Sequence, residues 1–403
     1  MPMLPVDPSL HYLVAPPGGE IVVRPRVPYA DVACDFLHEL SALLLAAPEA
    51  RAFPDIVSFA YWCRKANIAR LKETHGDGEV RLGLGLAFHI APSNVPVNFA
   101  FSFAFGLLSG NANVVRVPSR SFAQTEIVCA ALRELCARPA FAAIGAATAF
   151  VRYAQNDAIT GAFSAMCNGR IIWGGDQAIQ NIRKLPIPER GIEVAFADRY
   201  SFCAIDARAL VDASDAQLAQ LARGFYNDVY LMDQAACSSP HLVVWLGEGP
   251  VLDAARTRFW TAVHRETADR FALQPVNAVD KYTLLCRSAI DNGNVTTLTR
   301  HDNYLYRLSL DSLPTDMDTF RGQYGLIYEF DTDHLANVAH IVSTKYQTLT
   351  YFGLDRATCI DFVVGNGLSG VDRIVPIGAA LDIGVIWDGY DIVRSLSRII
   401  DFK

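Results

Sequence analysis

From residue 82 onward, short apolar runs alternate with segments whose apolar residues recur every three or four positions. The runs at 84–90, 113–117, 150–153 and 170–173 read as strands, and the periodic segments at 97–108, 122–136, 157–166 and 176–183 as helices. Strands alternating with helices of this length imply a parallel sheet covered on both faces, the layout of a nucleotide-binding domain. Upstream, residues 29–45 and 57–71 carry helical spacing, with Gly76-Asp77-Gly78 as punctuation. Downstream, the pattern predicts a helix over 218–230, a strand over 241–246, a helix over 252–268, a strand over 324–330 and a helix over 333–342. The tail 389–403 reads as a helix with Ile392, Leu396 and Ile399 on one face. Residues 276–311 take no clear element.

At 403 residues the chain is too long for one small core, so two domains or one large α/β body are expected. Hydrophobic residues at 51% against 19% charged give a strongly buried composition that suggests an extensive subunit interface. Thirty-five basic residues against 42 acidic ones, a net charge of −7, exclude the basic surface of a nucleic-acid binder. Nine cysteines lack paired CxxC spacing, so no zinc site or disulfide framework is expected and a reducing cytoplasm fits. The start has no basic segment followed by an apolar core, so a signal peptide is not expected. The longest greasy stretch, 95–109, is too short and too broken by Ser and Asn to span a bilayer.

One cysteine stands apart. Cys237 lies in Asp233-Gln-Ala-Ala-Cys-Ser-Ser-Pro240, between a helical run and a strand, among small side chains. A nucleophile at an element's edge needs room for a substrate carbonyl and nearby backbone N–H groups, and this setting offers both. A buried structural thiol beside a turn is the competing reading. Two strand-to-helix junctions are candidates for a dinucleotide: Ala91-Pro-Ser-Asn94, and Trp173-Gly-Gly-Asp176, whose glycines allow close backbone approach. Neither is a GxGxxG fingerprint, and tight turns need small residues whether or not anything binds.

Five segments together carry a family resemblance: the run opening His89-Ile-Ala-Pro-Ser-Asn94; Gly106-Leu-Leu-Ser-Gly-Asn-Ala-Asn-Val-Val-Arg-Val-Pro-Ser119; Ile171-Ile-Trp-Gly-Gly-Asp176; Gln234-Ala-Ala-Cys-Ser-Ser-Pro240; and Asp372-Arg-Ile-Val-Pro-Ile-Gly378. With Trp387-Asp-Gly-Tyr390 they resemble the long-chain acyl-CoA reductases, the fatty-acid reductase component of bacterial bioluminescence systems and its relatives, within the aldehyde dehydrogenase superfamily. The resemblance runs from about residue 80 to the C-terminus. It implies an α/β, aldehyde dehydrogenase-like fold with a Rossmann-type cofactor domain, an α/β catalytic domain and a small oligomerisation element. The expected division is 1–80, helical and packed on the cofactor domain; 81–210, dinucleotide-binding; 211–375, catalytic; and 376–403, a C-terminal segment for oligomerisation or return to the cofactor domain.

The implied reaction is acyl-CoA plus NADPH giving aldehyde, CoA and NADP⁺, with Cys237 as nucleophile and the Asn94 amide completing an oxyanion hole with the Cys237 N–H. Asn94 as a helix cap or turn residue is the alternative. Glu193, in Gly191-Ile-Glu-Val-Ala-Phe-Ala-Asp198, falls where the superfamily places its general base. Ala195 and Phe196 replace the usual following glycines, and a thioester reductase gains nothing from hydrolysing its own intermediate. Pro92, Ser93, Arg116, Pro118, Ser119, Arg120, Gly174 and Gly175 are the expected cofactor contacts. Arg120 stands where relatives carry a ribose-binding glutamate, which suits the 2′-phosphate of NADPH. Ordinary surface charge is the other reading of Arg116 and Arg120. His241 and His89 are expected beside the site rather than in a triad, and Asp372 with Arg373 is a candidate ion pair. Expected partners are acyl-CoA or another acyl thioester, an acyl-activating or acyl-transferring protein, and further copies of this chain. A carboxylate-forming NAD(P)-dependent aldehyde dehydrogenase and a non-catalytic subunit of a biosynthetic complex are the alternatives.

Overall fold

The computed structural model describes every residue except Met1, Asp77, Ser93 and Asn94. Two compact units emerge: residues 1–197 with 390–403, and residues 198–389.

The first unit is built on β1 (His11–Val14), β2 (Arg81–Gly83), β3 (Leu86–Ile90), β4 (Ala112–Arg116), β5 (Thr148–Arg152), β6 (Gly169–Trp173) and β7 (Ile192–Phe196). All but β2 form one sheet, in the order β1-β5-β4-β3-β6-β7, parallel except for β1 at the edge. The chain runs outward from β3 to β5, then crosses back to place β6 on the other side of β3. That reversal opens a crevice at the carboxyl ends of β3 and β6, where doubly wound sheets hold their ligands. Every residue of β3 and β6 is buried, as strands covered on both faces require. Helices Asp157–Met166 and Asp176–Arg183 have the bounds predicted from apolar spacing.

Three expected helices differ. The 57–71 segment is two helices, Pro54–Trp62 and Lys65–His75, because Arg64 is extended (φ −60°, ψ 143°) between them. The 333–342 segment tightens to a 3₁₀ helix, Leu335–Ile341. The tail is helical only over Ile392–Ser395; Ser397–Ile399 is a strand, antiparallel to β2. The Arg81 guanidinium there takes the carbonyls of Arg394 (2.9 Å) and Ser397 (3.0 Å), which a continuing helix needs for its own ladder. Leu396 is buried but Ile399 is not, so the apolar spacing misled.

The second unit holds β8 (Tyr200–Asp206), β9 (Pro240–Leu246), β10 (Val295–His301), β11 (Leu305–Leu310), β12 (Leu326–Thr332), β13 (Tyr346–Phe352) and β14 (Arg373–Pro376). Their order is β10-β11-β12-β9-β8-β13-β14, parallel except for the β10–β11 hairpin, which occupies the segment where the sequence pattern predicts no element. Alternate side chains fill two cores. Leu242, Val244 and Leu246 join Phe202 and Tyr328 on one face, while Val243 and Trp245 join Ile205, Phe225 and Trp260 on the other. A buried carboxylate crosses the second core: Glu329 Oε1 accepts from the indoles of Trp245 and Trp260, both at 2.7 Å, and Oε2 pairs with Arg307 at 3.2 Å.

Small residues in helix Asn98–Leu108 serve packing. Ala100 and Ala104 are buried, and a Cβ on Gly106 would lie 2.0 Å from Asn113 Oδ1 and 2.7 Å from His89 Nε2. Gly106→Ala is therefore expected to lower the thermal midpoint by roughly 4–8 °C, the cost of forcing a methyl into a packed polar core. Gly175→Ala, where an added Cβ meets nothing within 4 Å, should leave it unchanged. Equal midpoints for the two variants in a thermal melt would refute this packing argument.

Candidate active site

Cys237 sits in the connection that leaves helix Asp215–Tyr230 and enters β9, at the amino edge of the second unit's sheet. Asp233 (φ 51°) and Gln234 (φ 59°) are both left-handed, which turns the chain sharply just before the cysteine. Gln234, 2% exposed, holds that turn: its Nε2 donates to the carbonyls of Pro240 (3.3 Å) and Leu326 (3.2 Å), and its Oε1 accepts from Gly325 N (2.8 Å). Ser201 Oγ donates to the Cys237 carbonyl at 2.6 Å and accepts from Thr348 N at 3.1 Å, tying the loop to β8 and β13. The amino ends of three strands thus converge on one partly exposed thiol.

Burial pushes the Cys237 thiol up, the largest influence on it. A hydrogen bond from the Arg199 backbone and the charge of Arg321 act the other way, and Asp198 and Asp388 add to the rise. Arg199 donates to Asp372 Oδ2 (2.5 Å) and to the Tyr346 carbonyl (2.6 Å), so its backbone beside the sulfur is held from two directions. The partner of Asp372 is therefore Arg199. Arg373, the neighbour expected to pair with it, donates instead to the carbonyls of Ala379, Ala380 and Asp382, each at 2.7 Å. His241 is buried, stacked on Tyr200 at 5.2 Å and pushed down to about 3, chiefly by burial; it is a neutral core residue.

In the first unit, helices Asn98–Leu108 and Asp176–Arg183 begin just beyond β3 and β6 without a side-chain cap, so their first N–H groups face the crevice edge. Pro92 is half-buried on the exit from β3; Ser93 and Asn94 lie outside the described residues. Gly174 and Gly175 leave β6 with negative φ and open space: a Cβ on Gly174 makes only ordinary contact with Ala178, and one on Gly175 meets nothing. The chain's own packing does not demand glycine here, so the room fits a phosphate group laid against the backbone.

Arg116 ends β4 with its guanidinium 4.4 Å over the Tyr153 ring, while Arg120 is exposed, 5.2 Å over Phe122. Pro118 is buried and Ser119 exposed. Arg152, at the end of β5, joins them: it donates to the Pro118 carbonyl (3.3 Å) and pairs with Glu126 (2.7 Å). Sequence reasoning passed over Arg152. Its signal was a cation ending the neighbouring strand, one residue beyond Val151, the register partner of Arg116.

Glu193 is held by guanidinium groups. It lies near the amino end of β7, away from the carboxyl edge where the crevice opens. Its Oε2 is held by Arg170 (2.8 and 2.5 Å) and its Oε1 by Arg183 (2.7 Å), and Arg170 is only 3% exposed. Both oxygens are thus occupied by guanidinium groups.

The fold has known counterparts. A NAD-dependent benzaldehyde dehydrogenase from Corynebacterium glutamicum superposes with a TM-score of 0.60 at 14% identity, over 92% of this chain and 84% of that one. A 1-pyrroline-5-carboxylate dehydrogenase from Thermus with bound NAD gives 0.61 at 14%, over 93% and 81%. A salicylaldehyde dehydrogenase from Pseudomonas putida G7, complexed with salicylaldehyde, gives 0.62 at 14%, over 93% and 85%. The fold is that of the aldehyde dehydrogenases. A family model described as acyl-CoA reductase (LuxC) matches residues 64–254, just under half of the chain, a span that includes Cys237 and both strand-to-helix junctions. No curated protein matches by sequence. On this aldehyde dehydrogenase fold, no helix among the described residues is long and apolar enough to cross a membrane, and no group of three or more His, Cys, Asp and Glu is placed to hold a metal ion.

Because burial raises the thiol above its ordinary 9.0, the ligand-free protein carries Cys237 protonated at neutral pH. The rate of Cys237 alkylation by iodoacetamide should climb about tenfold per pH unit from pH 7 to 9 without levelling off. A plateau below pH 8, read by peptide mass spectrometry, would mean a preformed thiolate and contradict the electrostatics described above.

Proposed function

We propose that this chain reduces acyl thioesters, with acyl-CoA as donor and NADPH as reductant, through an acyl thioester on Cys237. The observation that carries this reading is the pairing of Glu193. A carboxylate-forming dehydrogenase needs a base to activate water against its acyl-enzyme. The residue in the superfamily's base position has both oxygens taken by Arg170 and Arg183. The match to an acyl-CoA reductase family model over residues 64–254 supports the same reading.

The acylation step needs no net base. The Cys237 sulfur bonds to the acyl carbon, the bond from that carbon to CoA sulfur breaks, and the thiol proton leaves on CoA. The thiolate is the attacking form, and the proton that the Cys237 thiol gives up is the one that leaves on CoA. Backbone N–H groups beside the sulfur, at Arg199 and at Cys237 itself, are donors for the oxyanion that forms, with Asn94 assigned as a third. Bound NADPH supplies the hydride for the acyl carbon. A proton then goes to the oxygen, the carbon–sulfur bond breaks, and aldehyde and free thiol result. The glycine-bounded crevice holds the dinucleotide, with Pro92, Pro118 and Ser119 along its edge and Ser93 assigned as a further contact. Arg116, Arg120 and the added Arg152 favour a 2′-phosphate. Glu193 is assigned a structural role.

A second reading has its own support. The similar solved structures named above are dehydrogenases, two of them named with NAD and two for an aldehyde, and NAD-dependent oxidation of an aldehyde to a carboxylate is the alternative for this chain.

Incubation with acyl-CoA of several lengths, then NADPH or NADH, followed by mass spectrometry and product analysis, separates the readings. An adduct on Cys237 that disappears as aldehyde forms is expected, faster with NADPH. Aldehyde and NAD⁺ giving carboxylate without CoA, with no aldehyde formed from the acyl adduct, would establish the second reading. No adduct from CoA or carrier-protein thioesters, with no dinucleotide binding, would leave a non-catalytic subunit. In the same assay Glu193→Gln is expected to keep most turnover per folded molecule while losing about 3 kcal/mol of stability, since it strands the buried Arg170. Loss of turnover like that of Cys237→Ser would return Glu193 to the chemistry.

A further inference from the structure

A run of buried polar groups crosses the first unit beneath helix Asn98–Leu108. The Trp173 indole N–H meets Ser102 Oγ at 2.9 Å; Ser102 Oγ meets His89 Nδ1 at 2.7 Å; His89 Nε2 meets Asn113 Oδ1 at 3.0 Å. Asn113 Nδ2 donates to the Asn111 carbonyl at 2.9 Å, and Asn111 Nδ2 to the Leu396 carbonyl at 2.8 Å. His89 and Asn113 are 0% exposed and Ser102 1%.

Donor counting gives this run one direction. An indole N–H only donates, so Ser102 Oγ accepts from Trp173 and keeps one proton to give. Asn113 spends its amide hydrogen on the Asn111 carbonyl, which leaves its oxygen facing His89 as an acceptor. His89 must then carry its hydrogen on Nε2, and its bare Nδ1 takes the Ser102 proton. Burial, which pushes His89 down to about 4, keeps the ring from holding both hydrogens near neutral pH. The two ends of the run differ in kind. At one end it closes on backbone; at the other it ends on Trp173, the last residue of β6, immediately before Gly174 and Gly175. There the indole lies flat on Phe196 (3.8 Å, 17°), and Phe196 meets Tyr390 edge-on at 5.9 Å.

We propose that His89, in its Nε2–H tautomer, is a positioning residue for dinucleotide binding, acting through Ser102 to fix the Trp173 indole as a wall of the crevice. This rests on the dinucleotide reading of that crevice. A hydrogen bond that only fills space could be replaced by any side chain of similar size. A directional relay has a stricter demand: what Trp173 needs from position 89 is an acceptor where Nδ1 stands. Asparagine places an oxygen there. Glutamine, closer to histidine in size, places its nitrogen near Nε2 and serves Asn113 instead.

The test measures NADPH and NADH dissociation constants by energy transfer from tryptophan to the reduced nicotinamide, with displacement titration for Trp173→Phe. Cys237 acylation without dinucleotide reports that each variant is folded. Ser102→Ala and His89→Gln are expected to weaken binding about tenfold, and His89→Asn less than about threefold. In a Trp173→Phe background the Ser102→Ala loss should vanish, because the indole donor is gone. Glutamine equal to or better than asparagine, or a Ser102→Ala loss that persists without the indole, overturns the proposal while leaving the crevice reading intact. If the wild-type chain binds neither dinucleotide, the crevice reading falls and the proposal with it.

Discussion

The second unit of this protein hangs on one side chain, Gln234. A loop entering a buried strand carries backbone polar groups that water cannot reach, and each unpaired one costs about 1–3 kcal/mol. Gln234 meets three such groups at once, joining the loop's own end at Pro240 to the start of β12 at Gly325 and Leu326. Two consecutive left-handed residues bring its amide into place. A sharp turn then delivers Cys237 to the amino edge of the sheet, where Ser201 and the Arg199 backbone receive it.

The two units put their chemistry at opposite sheet edges. In the first, strand order reverses between β3 and β6, and the crevice follows at the carboxyl ends by topology alone. In the second, Cys237 precedes its strand and lies at the amino ends of β8, β9 and β13. Each edge is stiffened by polar contacts rather than by packing alone. The Trp173–Ser102–His89–Asn113 run does this in the first unit. Arg199 does it in the second, bound to Asp372 and to the carbonyls of Lys345 and Tyr346.

Legibility varied with how local the information was. Helices Asp157–Met166 and Asp176–Arg183 could be read residue for residue, since each has a polar start and an amphipathic face. Strand β13 was not legible. Its Tyr346-Gln-Thr-Leu-Thr-Tyr-Phe352 run buries Gln347, Thr348 and Thr350, polar residues that a hydropathy pattern assigns to the surface. The tail misread as a helix has helical spacing for one turn, and then β2 captures its carbonyls. Long-range pairing of that kind leaves no mark on the local pattern.

The same division runs through the site. Sequence by itself determined the α/β class, the two strand-to-helix junctions and Cys237 as the thiol in a setting apart from the other eight. Those properties depend on residue spacing, small neighbours and turn chemistry within a dozen positions. Tertiary structure alone decided which groups meet. Glu193 has no visible partner in its own segment, and register between β6 and β7 sets it beside Arg170. Asp372 reads as the partner of Arg373, but β13 and β14 bring Arg199 to it instead. A charge is assigned its role by what stands within about 3 Å of it, and that neighbour is usually distant in the chain.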